Sequence, residues 1–282
     1  MLAGAAGRAF TVRDLQRSRA EGRRIVAVTA YTAPEGRLCD AAGVDLVLVG
    51  DSLGNVVLGL PDTLGVTLAD MVRHTQAVAH GVQRALLVAD LPFLSYQASV
   101  AEAVHSAGQL LQAGAAAVKL EGGAFWSQTV RHLVAAGIPV VGHLGFTPQS
   151  VHRLGGPRVQ ARSAQAQAQL LEDARALEEA GVSAIVLEMV PSPVAAGVSE
   201  QLRVPTIGIG AGPACGGQVL VLYDLLGLSP QVPRFARRYA DLRSLATQAV
   251  EAWARDVREG GFPGPSETHD GTHWGGAEET EA

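Results

Sequence analysis

The feature that constrains the fold most is a repeat of short, almost wholly apolar runs: VDLVLVG, RALLVAD, AAAVKLE, IPVVGH, SAIVLE, VPTIGIG and VLVLYD. Strands wetted on one face alternate polar and apolar residues, whereas continuous apolar runs suit parallel strands covered on both faces. Together with the run beginning at Ile25, they predict strands over 25–30, 45–49, 85–89, 116–120, 139–142, 184–187, 206–209 and 219–222. Ala- and Leu-rich stretches of helical period lie between them, such as 101–113, 125–136 and 164–180. Repetition of βα units in an α/β chain of 282 residues points to a closed (β/α)8 TIM barrel rather than an open doubly wound sheet.

The ends of the chain read differently. Thr11 followed by Asp14 looks like a helix N-cap with an acidic first turn, closed by Gly22 before the first strand. Tyr239, Leu242, Leu245, Ala249 and Trp253 are at helical spacing and predict one amphipathic helix over 235–259, capping the barrel or docking on another subunit. We expect a single domain over 1–260 and a disordered tail over 261–282, where Gly, Pro, Ser, Thr and acid dominate. His269 and His273 in that tail have the spacing of a helical metal pair, but Gly and Thr around them do not support a helix.

Net charge is −5 and the basic residues are scattered, which leaves no electrostatic footprint for nucleic acid or an anionic membrane. A small-molecule substrate is the better expectation. Cys39 and Cys215 lack CxxC spacing, so neither a disulfide framework nor a structural zinc site is expected. The opening MLAGAAGRAF has no charged segment leading into an apolar one, and we expect a cytoplasmic protein. Lys119 is the only lysine; every other cation is arginine. An ammonium is compact and can change protonation when buried, so a lone lysine marks a place where those properties matter.

Chemistry concentrates where strands end. Asp51, Asp90, Glu121, His143 and Glu188 fall at or just beyond expected strand C-termini. In a barrel those termini share one mouth, where functional groups of this fold gather. Asp51 and Asp90 are metal-ligand candidates, since carboxylates supply the hard oxygens Mg²⁺ prefers. Glu121 is a further ligand or an acceptor from a metal-bound water. Lys119 shares a strand face with Glu121 and either places positive charge beside an oxyanion or forms a Schiff base. Glu188 precedes Met189 and Val190, apolar neighbours that would raise its pKa and suit a base beside a ketone. His143 donates a hydrogen bond, shuttles a proton or is packed core; Ser52 binds a substrate carboxylate or caps the following segment. GIGAG over 208–212 is a tight turn near the mouth and a weak dinucleotide signal.

The motifs VTAYTAP, LVGDSLGNVVLG, TLGVTLADMVRHTQAV, LLVADLPFLSY, AVKLEGG, VVGHLGFTPQS and IGIGAG, in this order, resemble those of the ketopantoate hydroxymethyltransferase family, over roughly 11–228. The resemblance implies a Mg²⁺ ion, 5,10-methylenetetrahydrofolate as one-carbon donor, 3-methyl-2-oxobutanoate as acceptor, and a place in pantothenate synthesis. It implies that Asp51 and Asp90 hold the metal with Glu121 contributing, that Ser52 and Lys119 contact the keto acid, that His143 lies in the pocket, and that Glu188 removes the C3 proton. It also implies a homo-oligomer, with decamers of pentameric rings common. No residue is assigned to the folate. One departure is Thr32, where the family often has an acid. A related enolate-forming barrel resembling phosphoenolpyruvate mutase or isocitrate lyase would need a nucleophile loop, and no KKCGH-like segment is present.

Overall fold

The computed structural model describes residues 8–268. Eight parallel strands close a barrel in chain order: β1 (Ile25–Thr29), β2 (Leu46–Val49), β3 (Leu86–Asp90), β4 (Ala117–Glu121), β5 (Val140–Gly145), β6 (Ala184–Glu188), β7 (Thr206–Ile209) and β8 (Gly217–Leu220), with β8 pairing back to β1. The expected (β/α)8 architecture is therefore present. Among the described residues no helix is long and apolar enough to cross a membrane.

Because side chains alternate along a strand, one set of apolar residues faces the axis and the other faces the helices. Ile25, Ala27, Leu46, Leu48, Leu86, Val88, Ala117, Val141, Ala184, Val186, Ile207 and Val219 fill the barrel interior. Leu15, fully buried, plugs it from below. Leu15 sits on the helix Val12–Ala20, whose Thr11 hydroxyl and backbone N–H both donate to Asp14 Oδ2, at 2.7 and 2.9 Å. Burying one such leucine contributes about 2 kcal/mol. The expected N-terminal cap is thus what seats the floor of the barrel.

Helix Ala164–Ala180 matches its expected range because both ends carry local signals: the Ser163 hydroxyl accepts from Ala166 N at 3.2 Å, and Gly181 takes a left-handed conformation. Two expectations fail. Strand β8 begins two residues earlier than the expected 219–222, and Leu222–Leu225 is a helical turn. Gly217 opens the strand because a Cβ there would collide with the Ile25 carbonyl of β1. The last long helix is Leu242–Glu259, not 235–259. Tyr239 N donates to Leu225 O at 2.8 Å instead of to a carbonyl one turn back, and Asp241 caps the helix by accepting from Ser244 N at 3.4 Å.

No residue of Leu242–Glu259 is buried, and Leu245, Val250 and Trp253 are exposed. On the barrel wall, Val26 of β1 faces outward and is 53% exposed, beside exposed Gln218 of β8. A turn at Pro265–Glu267 lies in the described part of the expected tail; 269–282, with His269 and His273, lie outside the described residues.

Candidate functional site

Strand register builds the site. Asp90 on β3 pairs with Lys119 on β4, Glu121 with His143 on β5, and Gly145 with Glu188 on β6. Residues opposite one another in register lie side by side at the C-terminal rim, so Asp90 meets Lys119 and Glu121 meets His143, while the bare Gly145 leaves Glu188 to reach His143. Lys119 Nζ stands 2.9 Å from Asp90 Oδ1, His143 Nδ1 3.2 Å from Glu121 Oε1, and His143 Nε2 3.2 Å from Glu188 Oε2. Lys119 Nζ is also 3.3 Å from His143 Nδ1. Asp51 joins from the turn after β2, where its backbone N–H donates to Asp90 Oδ2 at 3.1 Å. These six side chains and Ser52 line one cavity of about 730 Å³ at the barrel mouth.

Asp51, Asp90, Lys119, Glu121 and His143 are all at most 5% exposed, so their charges act on one another with little solvent screening. Burial, then the Asp90 and Glu121 carboxylates, push Asp51 up to about 8 against the pull of Lys119 and Gln149. Burial also raises Asp90, with Lys119 opposing. For Lys119, burial alone would lower the pKa, but Asp90, Glu121 and Asp51 outweigh it and hold the ammonium above its ordinary value. Burial and Lys119 likewise act to lower His143, and contacts with Glu121 and Glu188 reverse this and push it up to about 9. At neutral pH the floor of the site therefore carries two cations, Lys119 and His143, among four carboxyl groups.

Glu188 does not meet the apolar surroundings suggested by Met189 and Val190. Its side chain, 16% exposed, faces the cavity and His143, while Val190 is buried in the outer core. The alternatives for Ser52 are also narrowed: it precedes the short helix Leu53–Val56 but makes no cap, and its hydroxyl lies 2.9 Å from the buried Tyr31 hydroxyl. Thr32 caps helix Ala33–Ala41, its hydroxyl accepting from Glu35 N at 3.4 Å. Glu35 in turn accepts from Tyr31 N, Thr32 N and the Tyr223 hydroxyl at 2.7, 3.1 and 3.1 Å. Thr32 thus supports a loop, a task threonine and aspartate both perform as N-caps.

Sequence reasoning missed Gln149. Buried after β5, it donates from Nε2 to Asp51 Oδ2 and Leu91 O, both at 2.9 Å, and from its backbone N–H to Glu121 Oε2 at 3.0 Å. Its Oε1 accepts from the Tyr96 hydroxyl at 3.1 Å and Gln97 Nε2 at 3.2 Å. One residue so ties two acids from different strands to a common frame. The only hint in the sequence is its place in GHLGFTPQS.

The donor set suits a hard cation. Asp90 Oδ1 and Glu121 Oε1 are buried oxygens that face Lys119 and His143 but complete no regular hydrogen bond, so each keeps a lone pair that a hard cation could take. Among the described residues no three of His, Cys, Asp and Glu form a ready cage. Water or substrate oxygens would have to complete the coordination of an ion there, as is usual for Mg²⁺.

A model of the family described as ketopantoate hydroxymethyltransferase matches residues 9–265. A 3-methyl-2-oxobutanoate hydroxymethyltransferase from Hyperthermus butylicus is 53% identical over 94% of this chain and 90% of its own length. The enzyme of the same name from Chloroflexus aurantiacus is 55% identical over 91% of each. Among solved structures, a phosphonopyruvate hydrolase complexed with oxalate and Mg²⁺ aligns at a TM-score of 0.60 and 16% identity, covering 91% of this chain and 92% of that one. A 2,3-dimethylmalate lyase of the phosphoenolpyruvate mutase/isocitrate lyase superfamily aligns at 0.59 and 17%, covering 95% and 93%. At such identity the structural matches speak for the fold alone.

Proposed function

This chain belongs to the ketopantoate hydroxymethyltransferase family, and from that premise we propose that it transfers a hydroxymethyl unit from 5,10-methylenetetrahydrofolate to 3-methyl-2-oxobutanoate, giving 2-dehydropantoate for pantothenate synthesis. The observation that carries the mechanism is the convergence of Asp51, Asp90, Lys119, Glu121, His143 and Glu188, from five strand ends, on one cavity. Asp51 and Asp90 would hold Mg²⁺, with Glu121 contributing directly or through water. When bound, the ion supplies Lewis acidity toward the keto and carboxylate oxygens of the substrate.

Glu188 is the base. Of the acids at the rim it is the one with an exposed edge, and it takes the C3 proton while the C–H electrons pass into an enolate. His143, charged and 3.2 Å from Glu188 Oε2, fixes the direction of that carboxylate. Lys119 places a permanent positive charge at the floor, near where oxyanion character develops. Ser52, held by Tyr31, contacts the keto acid. As the enolate carbon bonds to the methylene carbon of the donor, that carbon's bond to N10 breaks and its electron pair passes to N10; water then takes the place of N5 on the same carbon, releasing tetrahydrofolate and the hydroxymethyl product. A Schiff-base route through Lys119 is disfavoured, because an amine kept protonated by Asp90 and its neighbours is not nucleophilic.

We also read the protein as a homo-oligomer, a decamer being the form the family suggests. The unburied helix Leu242–Glu259 and the bare β1–β8 wall are the surfaces that association would cover. Its two thiols, both buried and unpaired, fit a reducing cytoplasm.

Loss of the C3 proton signal of 3-methyl-2-oxobutanoate in D₂O, followed by NMR with tetrahydrofolate present, tests the mechanism. Exchange should require Mg²⁺ and vanish in Glu188→Gln. Undiminished exchange in EDTA would return the reaction to Lys119, and no exchange from folded protein under either condition would sink the assignment.

A further inference from the structure

The cavity is larger than its polar floor needs. About 730 Å³ lies in the range that encloses a drug-sized ligand, whereas a small branched keto acid fills only the space beside Lys119 and Glu188. The remaining volume lies toward the rim, between the segment after β2 and the segment after β8, and its lining has features that no role yet given explains.

Two buried hydroxyls there complete no regular hydrogen bond among the described residues. Thr63 is 4% exposed and Ser229 8%, both line the cavity, and neither Thr63 Oγ1 nor Ser229 Oγ completes a hydrogen bond of regular geometry. Buried polar groups are ordinarily paired, and leaving one unpaired costs free energy that a ligand can recover. Beside Ser229 stands Asp224, 7% exposed, also lining the cavity. Burial pushes its carboxyl up, while the nearby Ser229 hydroxyl and Arg238 pull the other way.

Above them lies an aromatic edge. The Phe235 ring rests on Gly210 of the GIGAG turn, where a Cβ would press on the ring at 3.0 Å; Gly210 itself has a φ of +62°. Phe146, at the end of β5, lines the same cavity. Among the described residues no arginine lines it, and the one lysine that does is Lys119 at the floor. The rim therefore offers no cation for a phosphate among the described residues, but has a carboxyl, two hydroxyls with bonding capacity to spare and apolar ring faces. A flat, uncharged heterocycle with an edge of adjacent N–H donors satisfies all three.

We propose that this outer compartment, formed by Thr63, Asp224, Ser229, Phe146 and Phe235, seats the pterin ring of the folate donor. The inference rests on the folate reading above. The Asp224 carboxylate accepts from the ring N–H and the adjacent amino group, the hydroxyls bond the remaining edge, and the phenyl rings cover a face. A donor so placed lies above the keto acid and presents its one-carbon unit downward.

Tetrahydrofolate and the keto acid are titrated separately by calorimetry, anaerobically and with Mg²⁺, into the full chain and into Asp224→Asn and Phe235→Ala. The expected result is weaker tetrahydrofolate binding, about tenfold or more for Asp224→Asn and about fivefold for Phe235→Ala, with keto-acid affinity held within about twofold. Phe235 is 36% exposed, so its variant should fold and decides the matter if Asp224→Asn does not. Unchanged tetrahydrofolate affinity in Phe235→Ala and folded Asp224→Asn overturns the subsite while leaving the folate reading standing. If the unaltered chain exchanges the C3 proton of the keto acid but binds no tetrahydrofolate, the folate reading itself falls and the subsite with it.

Discussion

Replacing Gln149 by leucine keeps bulk and burial but removes an amide that holds the site together. The backbone N–H bond to Glu121 survives, and the Tyr96 hydroxyl keeps its 2.9 Å bond to the Glu121 carbonyl. Asp51 Oδ2 and the Leu91 carbonyl lose their Gln149 donor. A buried group stripped of its partner costs about 1–3 kcal/mol, so the two together should cost about 2–6 kcal/mol. For a chain of this size that lowers Tm by roughly 4–24 °C, read by scanning calorimetry in EDTA. Asp51, freed from its donor, also ceases to be aimed, and loss of such a supporting contact typically weakens metal binding by about 10–100-fold. Calorimetric titration with Mg²⁺ measures this independently of turnover. A variant with unchanged Tm and unchanged Mg²⁺ affinity would show that the hydrogen-bond frame drawn here neither stabilises the barrel mouth nor positions Asp51.

Thr32→Ala should cost about 1 kcal/mol through the lost N-cap, lowering Tm by about 2–4 °C with C3 proton exchange intact; a collapse of exchange instead would give Thr32 a part in the chemistry. The metal-free protein should lose stability as pH rises from 6.5 to 8. Asp51, pushed up to about 8, holds a proton in the folded state that the unfolded chain has already released, and His143, raised from 6.5 to about 9, gives a contribution complete below 6.5 that fades as pH passes 9. Both slopes run the same way, so Tm in EDTA should fall across this window and Mg²⁺, binding the ionised carboxylates, should flatten the fall; a rising Tm in EDTA would contradict it.

The barrel was legible because parallel strands covered on both faces leave continuous apolar runs, and the site was legible because those runs end in acids. Pairing of Asp90 with Lys119 and of Glu121 with His143 turns neighbours in register into neighbours in space. Failures arose where a local pattern had two readings. VLVLYD is apolar enough for a strand, yet its second half curls into Leu222–Leu225. Phe235 and Tyr239 hold helical spacing with Leu242 and Leu245, yet a turn closed by Ala236 N on Pro233 O and the Tyr239 bond to Leu225 keep that stretch out of the helix. Val190 after Glu188 packs into the outer core, apart from the cavity that the carboxylate lines, which no single-sequence pattern reveals. Gln149 was invisible for another reason: a neutral amide in a loop has no charge, period or spacing to announce it.

Leu15 gives the molecule a closed bottom. With the interior filled and the underside stoppered, the cavity at the barrel mouth is a well closed from below. Depth then becomes sequence. On the proposed placement of the donor above the keto acid, the acid enters before the donor and the product leaves after the spent donor has lifted away, so traffic through the well is last in, first out.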